Sequence, residues 1–435
     1  MDRDRRVAPE PDLRAVPVPQ RTIAAMPIYF DNAATTPLRR EALEAMLPFL
    51  TESFGNASSA HSWGRQARAG LDEAREKVAA GLGAKPREIV FTSGGTEANN
   101  LAIKGVAWAG RSRGHRIVTS SIEHHSVGHT VRYLEKFGFE IVELPVDRYG
   151  RVDPDEVEAA ITPKTILVSI MLANNEVGTI QPMAAIAERV RRHRGVLLHT
   201  DAVQAAPHLP LDVDELDVDM LTIAGHKFEG PKGVGALFLR HGTNILAQQH
   251  GGPQERYRRA GTEDVASAVG MAAAFELAVA GKTSVTPGLA EMRDSLMRRL
   301  LRTEGVTLTG HPTERLPGLL SVVAAGVQGS AITMALDLAG LACSTGSACV
   351  TGANEPSHVL AAMGYPADES AGALRFSLGR RTTAAEIAEA GELIVATIES
   401  HREAEQRYAA ERAASLSQPG EAAVPGSAAL GAGAE

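Results

Sequence analysis

The chain has 435 residues, more than one hydrophobic core comfortably holds, so two domains are expected. Its net charge of -8, with acidic and basic residues intermixed, argues against nucleic-acid or anionic-membrane binding driven by bulk charge. Two cysteines, Cys343 and Cys349, exclude a disulfide framework and suit a reducing cytoplasm, and no apolar stretch reads as the ~20 residues of a membrane-spanning helix.

Residues 1–26 carry five arginines and several prolines, without periodicity or a continuous apolar run; they read as a disordered tail rather than a secretory signal. Over 27–284, short β-rich runs at 88–92, 116–120, 140–146, 165–172, 195–200, 220–224 and 235–240 alternate with helix-length stretches. That rhythm predicts a large α/β domain built on an open, mainly parallel seven-stranded sheet. The span 285–414 opens with a long helical pattern at 289–303, continues with strand-like pieces and ends in a helix from Thr383, a smaller α+β domain. Residues 415–435 are Ala, Gly, Pro and Ser with little to bury, a second tail.

Ligands gather at the carboxyl ends of such strands, so the polar residues just past each run are the candidates. Ser93-Gly94-Gly95-Thr96 leads into a helix and offers free backbone N–H groups to a phosphate, with a plain tight turn as the alternative. Asn174-Asn175-Glu176, taken by itself, reads as a polar turn. Asp201 emerges from an apolar strand, where an anion is costly unless a cation such as a protonated pyridine nitrogen pairs with it; a helix cap is the alternative. Gly225-His226-Lys227 follows the run at 220–224, and Lys227 is the one lysine of eight that ends a predicted core strand. Lys232 lies in a solvated Gly-Pro turn. A buried lysine without chemistry is rare, and a Schiff-base lysine needs partial burial to hold a neutral amine. In this order the segments describe a pyridoxal-phosphate pocket, with the phosphate on a helix, the ring nitrogen on Asp201 and the aldehyde on Lys227.

Further segments carry a family resemblance: Phe30-Asp31-Asn32-Ala33-Ala34-Thr35-Thr36-Pro37, Gly55-Asn56-Ala57-Ser58-Ser59-Ala60-His61, Glu123-His124, Arg259-Ala260-Gly261-Thr262, Gly346-Ser347-Ala348-Cys349 and Arg375-Phe376-Ser377-Leu378-Gly379-Arg380. With those above, they make the chain resemble, from about 28 to 400, the cysteine desulfurases of the class V aminotransferase group, with the fold type I pyridoxal-phosphate architecture. The resemblance implies that Gly95, Thr96 and His226 hold the phosphate, with Thr262 reaching it from the second subunit of a homodimer. Asn175 and Gln204 would contact the ring hydroxyl and Asp201 the ring nitrogen, with His124 stacked on the ring to shuttle protons. Arg375, with Asn32 and Asn175, would clamp the substrate carboxylate. Lys227 would move the substrate's α-proton, and the Cys349 thiolate would take the sulfur of L-cysteine as a persulfide and leave L-alanine. The short segment after Cys349 resembles the branch that delivers sulfur to iron–sulfur scaffolds and tRNA-thiolating enzymes. A selenocysteine lyase or an amino-acid epimerase of the same class is the rival, against which Cys349 argues.

Cys343 ends an apolar run and reads as an inert buried thiol. His125 and His129 stand four apart, as zinc ligands on a helix can, but no third ligand is spaced to match, so no metal is expected. Two positions depart from the family pattern. Ala224 stands where many relatives have a phosphate-binding serine, with Thr222 on the same strand face as its candidate substitute, and Asp264 stands where Asn is common.

Overall fold

The computed structural model describes residues 27–346 and 357–417. The expected N-terminal tail, Cys349 and all but three residues of the expected C-terminal tail lie outside the described residues. The exceptions, 415–417, end a helix.

The chain opens with β1 (Ile28–Tyr29), α1 (Arg40–Thr51) and α2 (Ser62–Gly81). Strands and helices then alternate through β2 (Ile89–Thr92), α3 (Gly95–Gly110), β3 (Arg116–Ser120), α4 (His125–Glu135), β4 (Glu140–Leu144), α5 (Pro154–Ala160), β5 (Thr165–Ser169), α6 (Met183–Arg191) and β6 (Leu197–Asp201). β7 (Met220–Ala224) and β8 (Gly235–Leu239) close this part. These seven strands, β2 to β8, form one sheet in the order β2-β8-β7-β6-β5-β3-β4, in which β8 alone runs against its neighbours. Every expected run is a strand of it. β5, β7 and β8 are buried along their whole length, which is why they read as unbroken apolar runs rather than alternating ones. The parallel strands β5, β6 and β7 bring Asn174, Asp201 and Lys227 out at one edge.

The rest comprises α7 (Val265–Leu300), β9 (Val306–Leu308), β10 (Leu319–Ala324), α8 (Gly329–Leu338), β11 (Leu341–Ala342), α9 (His358–Ala362), α10 (Ala367–Ser370), β12 (Ala373–Ser377) and α11 (Ala384–Ser417). β12, β10 and β9 make an antiparallel sheet, and β1 pairs in parallel with β11. Ile28 and Phe30 therefore join a core with Leu289, Leu296, Leu320 and Phe376. The helix expected at 289–303 starts at Val265 instead, because its Ala-rich first half lies against α1 and α2 and its second half against α11. By length and composition α7 is apolar enough to cross a membrane, contrary to the sequence expectation, and half of its apolar window is buried within the chain. Asp264 caps it by accepting from Ser267 N at 3.0 Å, a task Asp performs as well as Asn, which accounts for that departure.

Candidate active site

Lys227 ends a tight turn, Gly225–Lys227, directly after β7. Its Nζ donates to the carbonyls of Ala33 at 2.6 Å and Ala34 at 3.0 Å, and Gln204 Nε2 donates to the same Ala33 carbonyl at 2.9 Å. The turn is fixed from behind by Glu229, whose carboxylate meets Arg39 and Arg380, both at 2.8 Å. His226 Nδ1 lies 3.3 Å from Thr35 Oγ1. Burial, then the charges of Lys227 and Lys232, push the His226 pKa down to about 4, so the ring is neutral at pH 7.

Asp201, the last residue of β6, accepts from Val203 N at 2.9 Å and from Asn99 Nδ2 at 2.6 Å. The turn-capping role and the presentation of a carboxylate at the strand end therefore coexist. Asn99, one turn into α3, also donates to Ser126 Oγ at 2.8 Å, and Ser126 Oγ lies 2.7 Å from His124 Nδ1. His124, Ser126, Asn99 and Asp201 thus form one chain. Burial holds the His124 pKa below its usual value; Lys227 pushes the same way, while Asp201 and Glu176 oppose it. Asn99 and Ser126 were not singled out in the sequence. An amide on the first turns of the phosphate-seat helix, facing a strand-end carboxylate, was the available signal.

Beneath Asp201, His199 Nδ1 lies 2.9 Å from Ser169 Oγ and Nε2 lies 3.1 Å from Thr222 Oγ1. The Thr222 hydroxyl is therefore engaged within the sheet.

Gly95 and Thr96 start α3, after Gly94 at φ 151°. With Ser93, Thr35, His226 and Gly233 they line a cavity of about 440 Å³. A Cβ on Gly95 would come within 2.9 Å of Val203 Cγ2, so glycine is what lets the helix approach the turn after Asp201. Thr262 is exposed and does not line this cavity in its own chain.

Arg375 is buried on β12. Its Nη2 meets Asp31 Oδ1 at 2.9 Å, and its Nη1 donates to the carbonyls of Asn175 at 2.9 Å and Gly346 at 3.4 Å. Its Nε is buried without a partner among the described residues. Asn32 Nδ2 donates to Ser377 O at 2.9 Å, beside the same strand. Asn174 is a turn-former, its Oδ1 accepting from the N–H groups of Glu176 and Val177. Lys227, through Ala33, and Arg375, through Asp31, are gathered onto one short segment.

Cys343 is half-buried, and burial pushes its thiol up to about 12, so it is not a thiolate at neutral pH. The rings of His125, His129 and His358 pack edge to face, with centroids 4.7 and 4.9 Å apart. Lys232 is exposed, as its turn suggested.

Glu123, next to His124, is fully buried; its Oε1 accepts from Ser120 Oγ at 2.6 Å and Met171 N at 2.9 Å, while Oε2 has no partner among the described residues. Burial raises its pKa to about 8, so it is mostly protonated at pH 7. A carboxyl that binds its proton more tightly when folded stabilises the fold below its unfolded pKa and loses that contribution as pH rises through the folded value. Stability should therefore fall by roughly 2–3 kcal/mol between pH 6 and pH 9 from this group. In Glu123→Gln, which keeps the acceptor and the shape, denaturant titrations should show that alkaline loss flattened; an unchanged slope assigns it elsewhere.

A carboxylate held at a strand end, a half-buried amine and an anion seat at a helix N-terminus suit a phosphate ester with a cationic ring nitrogen and an aldehyde. Residues 28–389 match the family Aminotransferase class-V. The chain is 50% identical over 360 residues to cysteine desulfurase IscS of Methanosarcina thermophila, covering 83% of this chain and 89% of that one. It is 51% identical over 357 residues to cysteine desulfurase IscS of Dictyoglomus turgidum, covering 82% and 90%. Among solved structures, a NifS-like protein superposes with TM-score 0.82 at 38% identity, over 86% of this chain and all of that one. SspA in complex with cysteine superposes with TM-score 0.73 at 35% identity, over 82% of this chain and all of that one. The chain belongs to the class V aminotransferase family and, within it, to the cysteine desulfurases.

Proposed function

We propose that this chain converts L-cysteine to L-alanine with pyridoxal phosphate held on Lys227, and that Cys349 receives the sulfur as a persulfide. The family is one of pyridoxal-phosphate enzymes, and the SspA relative binds cysteine. The observation that carries the reading to these residues is the linked set His124–Ser126–Asn99–Asp201 at the strand edge that also presents Lys227.

In this reading the first-turn amides of α3 at Gly95 and Thr96 hold the phosphate together with His226, whose neutral ring can donate one N–H. Asp201, oriented by Asn99, pairs with the ring nitrogen, and Gln204 and Asn175 bond the ring hydroxyl. Arg375 orients the substrate carboxylate with Asn32 and Asn175; a guanidinium held by Asp31 and the Asn175 carbonyl beside the Lys227 segment supports this role. When bound, the cofactor supplies an electron sink for the pair left at the substrate Cα. Lys227 Nζ takes the Cα proton, and His124 moves protons at the same centre. Cys349 Sγ then attacks the substrate sulfur: the new S–S bond forms, the Cβ–S bond breaks, and its electron pair is protonated on the way to alanine.

A homodimer with Thr262 contributed across the interface is supported by an apolar stripe on α1, where Leu43, Leu47 and Leu50 are 43%, 46% and 58% exposed beside Phe54 at 69%. The persulfide would pass to a protein acceptor, such as an iron–sulfur scaffold or a tRNA-thiolating enzyme, in the cytoplasm. With L-cysteine and a thiol reductant, the cofactor-loaded protein should release alanine and sulfide in equal amounts. Alanine without sulfide, or neither product, would retire the reading.

A further inference from the structure

We propose that Asn99 and Ser126 are positioning residues that hold the neutral ring of His124 in one tautomer, with its hydrogen on Nε2. Along the chain from Asp201 to His124, the direction of each hydrogen bond fixes the next.

As a carboxylate, Asp201 can only accept, and the side-chain amide nitrogen of Asn99 meets its Oδ2 at 2.6 Å. Turned over, that amide would set its own oxygen against the carboxylate, so the nitrogen faces Asp201. The same nitrogen has a second hydrogen, and Ser126 Oγ accepts it at 2.8 Å. Ser126 has one hydroxyl hydrogen, which is then left for His124 Nδ1 at 2.7 Å. The backbone gives the same direction independently. His124 is the N-cap of α4, and the N–H of Ser126, which can only donate, meets the same Nδ1 at 3.1 Å. Two donors converge on Nδ1, so Nδ1 presents its lone pair and the ring hydrogen sits on Nε2. Asn99 and Ser126 are both buried, which leaves little room for water to compete for either.

Both donors are kept only by a ring that is unprotonated at Nδ1. A proton added there would face the Ser126 N–H and force the hydroxyl to turn, so the chain opposes the doubly protonated ring. Burial acts the same way, as do the charges of Lys227 and His358, while Asp201 and Glu176 oppose them. The His125 ring stands edge-on, with its centroid 6.3 Å from that of His124. In the reading that His124 serves the reacting centre, on which this step rests, the ring enters the reaction as an N–H donor. It has no lone pair at Nε2 with which to take the Cα proton, which leaves Lys227 as the base. His124 gives up its Nε2 hydrogen only once Nδ1 has taken another.

The test is 15N NMR of the full chain labelled at its 14 histidines, cofactor-loaded and cofactor-free, with the His124 signals identified by their loss in His124→Gln. In the parent, at a pH where the ring is neutral, Nε2 should show the shift of a protonated ring nitrogen and Nδ1 that of an unprotonated one. Ser126→Ala deletes a hydrogen bond that only the neutral ring accepts. The ratio of doubly protonated to neutral ring at a given pH should then rise roughly three- to tenfold. Ser126→Thr, which keeps a hydroxyl, should return the ratio to within about twofold of the parent. Asn99→Ala frees the hydroxyl to turn and should move the ratio in the same direction. The Asn99→Ala/Ser126→Ala double variant should move it no further than Ser126→Ala alone, because Asn99 acts through Ser126. A hydrogen on Nδ1 in the parent, a ratio unmoved in Ser126→Ala, no rescue by Ser126→Thr, or additive shifts in the double variant would overturn the proposal. The cofactor-free signals decide this whatever the reaction. A parent that carries the Nε2 hydrogen yet releases no alanine from L-cysteine would retire the desulfurase reading alone.

Discussion

Borohydride reduction of the cofactor-loaded protein should fix the pyridoxyl group on Lys227 and leave the other seven lysines unmodified. The serious competitor is Lys282, because burial lowers its pKa to about 8 and makes its amine substantially neutral in mild alkali. Lys282 lies on α7, where its Nζ donates to Leu209 O at 2.6 Å, and it lines the large cavity that Lys227 also borders. Reactivity alone would not separate the two. Surroundings do: Lys227 lies within the field of His124, follows His226, and bonds the segment that carries Asp31 and Asn32, whereas Lys282 bonds Leu209 in the shared cavity lining, which among the described residues includes neither Gly95, Thr96 nor Asp201. Lys227→Ala should therefore lose the yellow absorbance of the lysine-bound cofactor, and turnover should fall by more than about 10³-fold, since the same amine serves as proton carrier. Lys282→Ala should keep both. Peptide mapping that finds the reduced adduct on Lys282 or Lys232 would overturn the assignment, whatever the activities.

The strand-end lysine was legible because two local rules agree there: an apolar run fixes the strand, and a lone cation at its end has no reason to be buried except chemistry. Asp201 was legible by the same logic. Asn99 was not, because its importance comes from α3 lying across the sheet so that its amide reaches both Asp201 and Ser126, 102 and 27 residues away in sequence. The partner of Thr222 was hidden for a related reason. Strand periodicity places Thr222 on the right face, but not which neighbour takes its hydroxyl, and His199 on the adjacent strand does. The start of α7 was missed because Ala-rich sequence without a polar face carries no amphipathic signal when it is buried against α1 and α2. The hydrogen bond between Glu176 and Ser357 was equally hidden, since the turn motif Asn174-Asn175-Glu176 reads as polar punctuation until Ser357, 181 residues on, is brought against it.

Cys349→Ser should all but abolish alanine release while leaving cofactor binding and the first response to substrate intact. Lys227, Asp201, His124 and Arg375 are untouched by the change, so the absorbance shift on adding L-cysteine should persist. Sulfur abstraction needs a nucleophile at neutral pH, and a serine alkoxide is far less accessible than a thiolate. A fall in single-turnover alanine yield of at least about 10³-fold is expected, with no persulfide recovered. Cys343 supplies the internal control. Its thiol is held near pKa 12 by burial, the carboxylate of Asp31 acting in the same direction, so at pH 7 to 8 it presents no appreciable thiolate. It packs against the core that joins β1 to β10 and β12, so Cys343→Ser exchanges a half-buried sulfur for a hydroxyl and should cost about 1–2 kcal/mol of stability. Turnover per folded molecule should stay within about twofold of the parent, because the proposed reaction gives Cys343 no role. Mass mapping after one turnover decides between the thiols. Sulfur added to Cys343 would move the acceptor role to that thiol, and undiminished alanine from Cys349→Ser would mean that a thiol-independent lyase of the same class is at work. The Lys227 assignment would survive that result and the sulfur-transfer step would not.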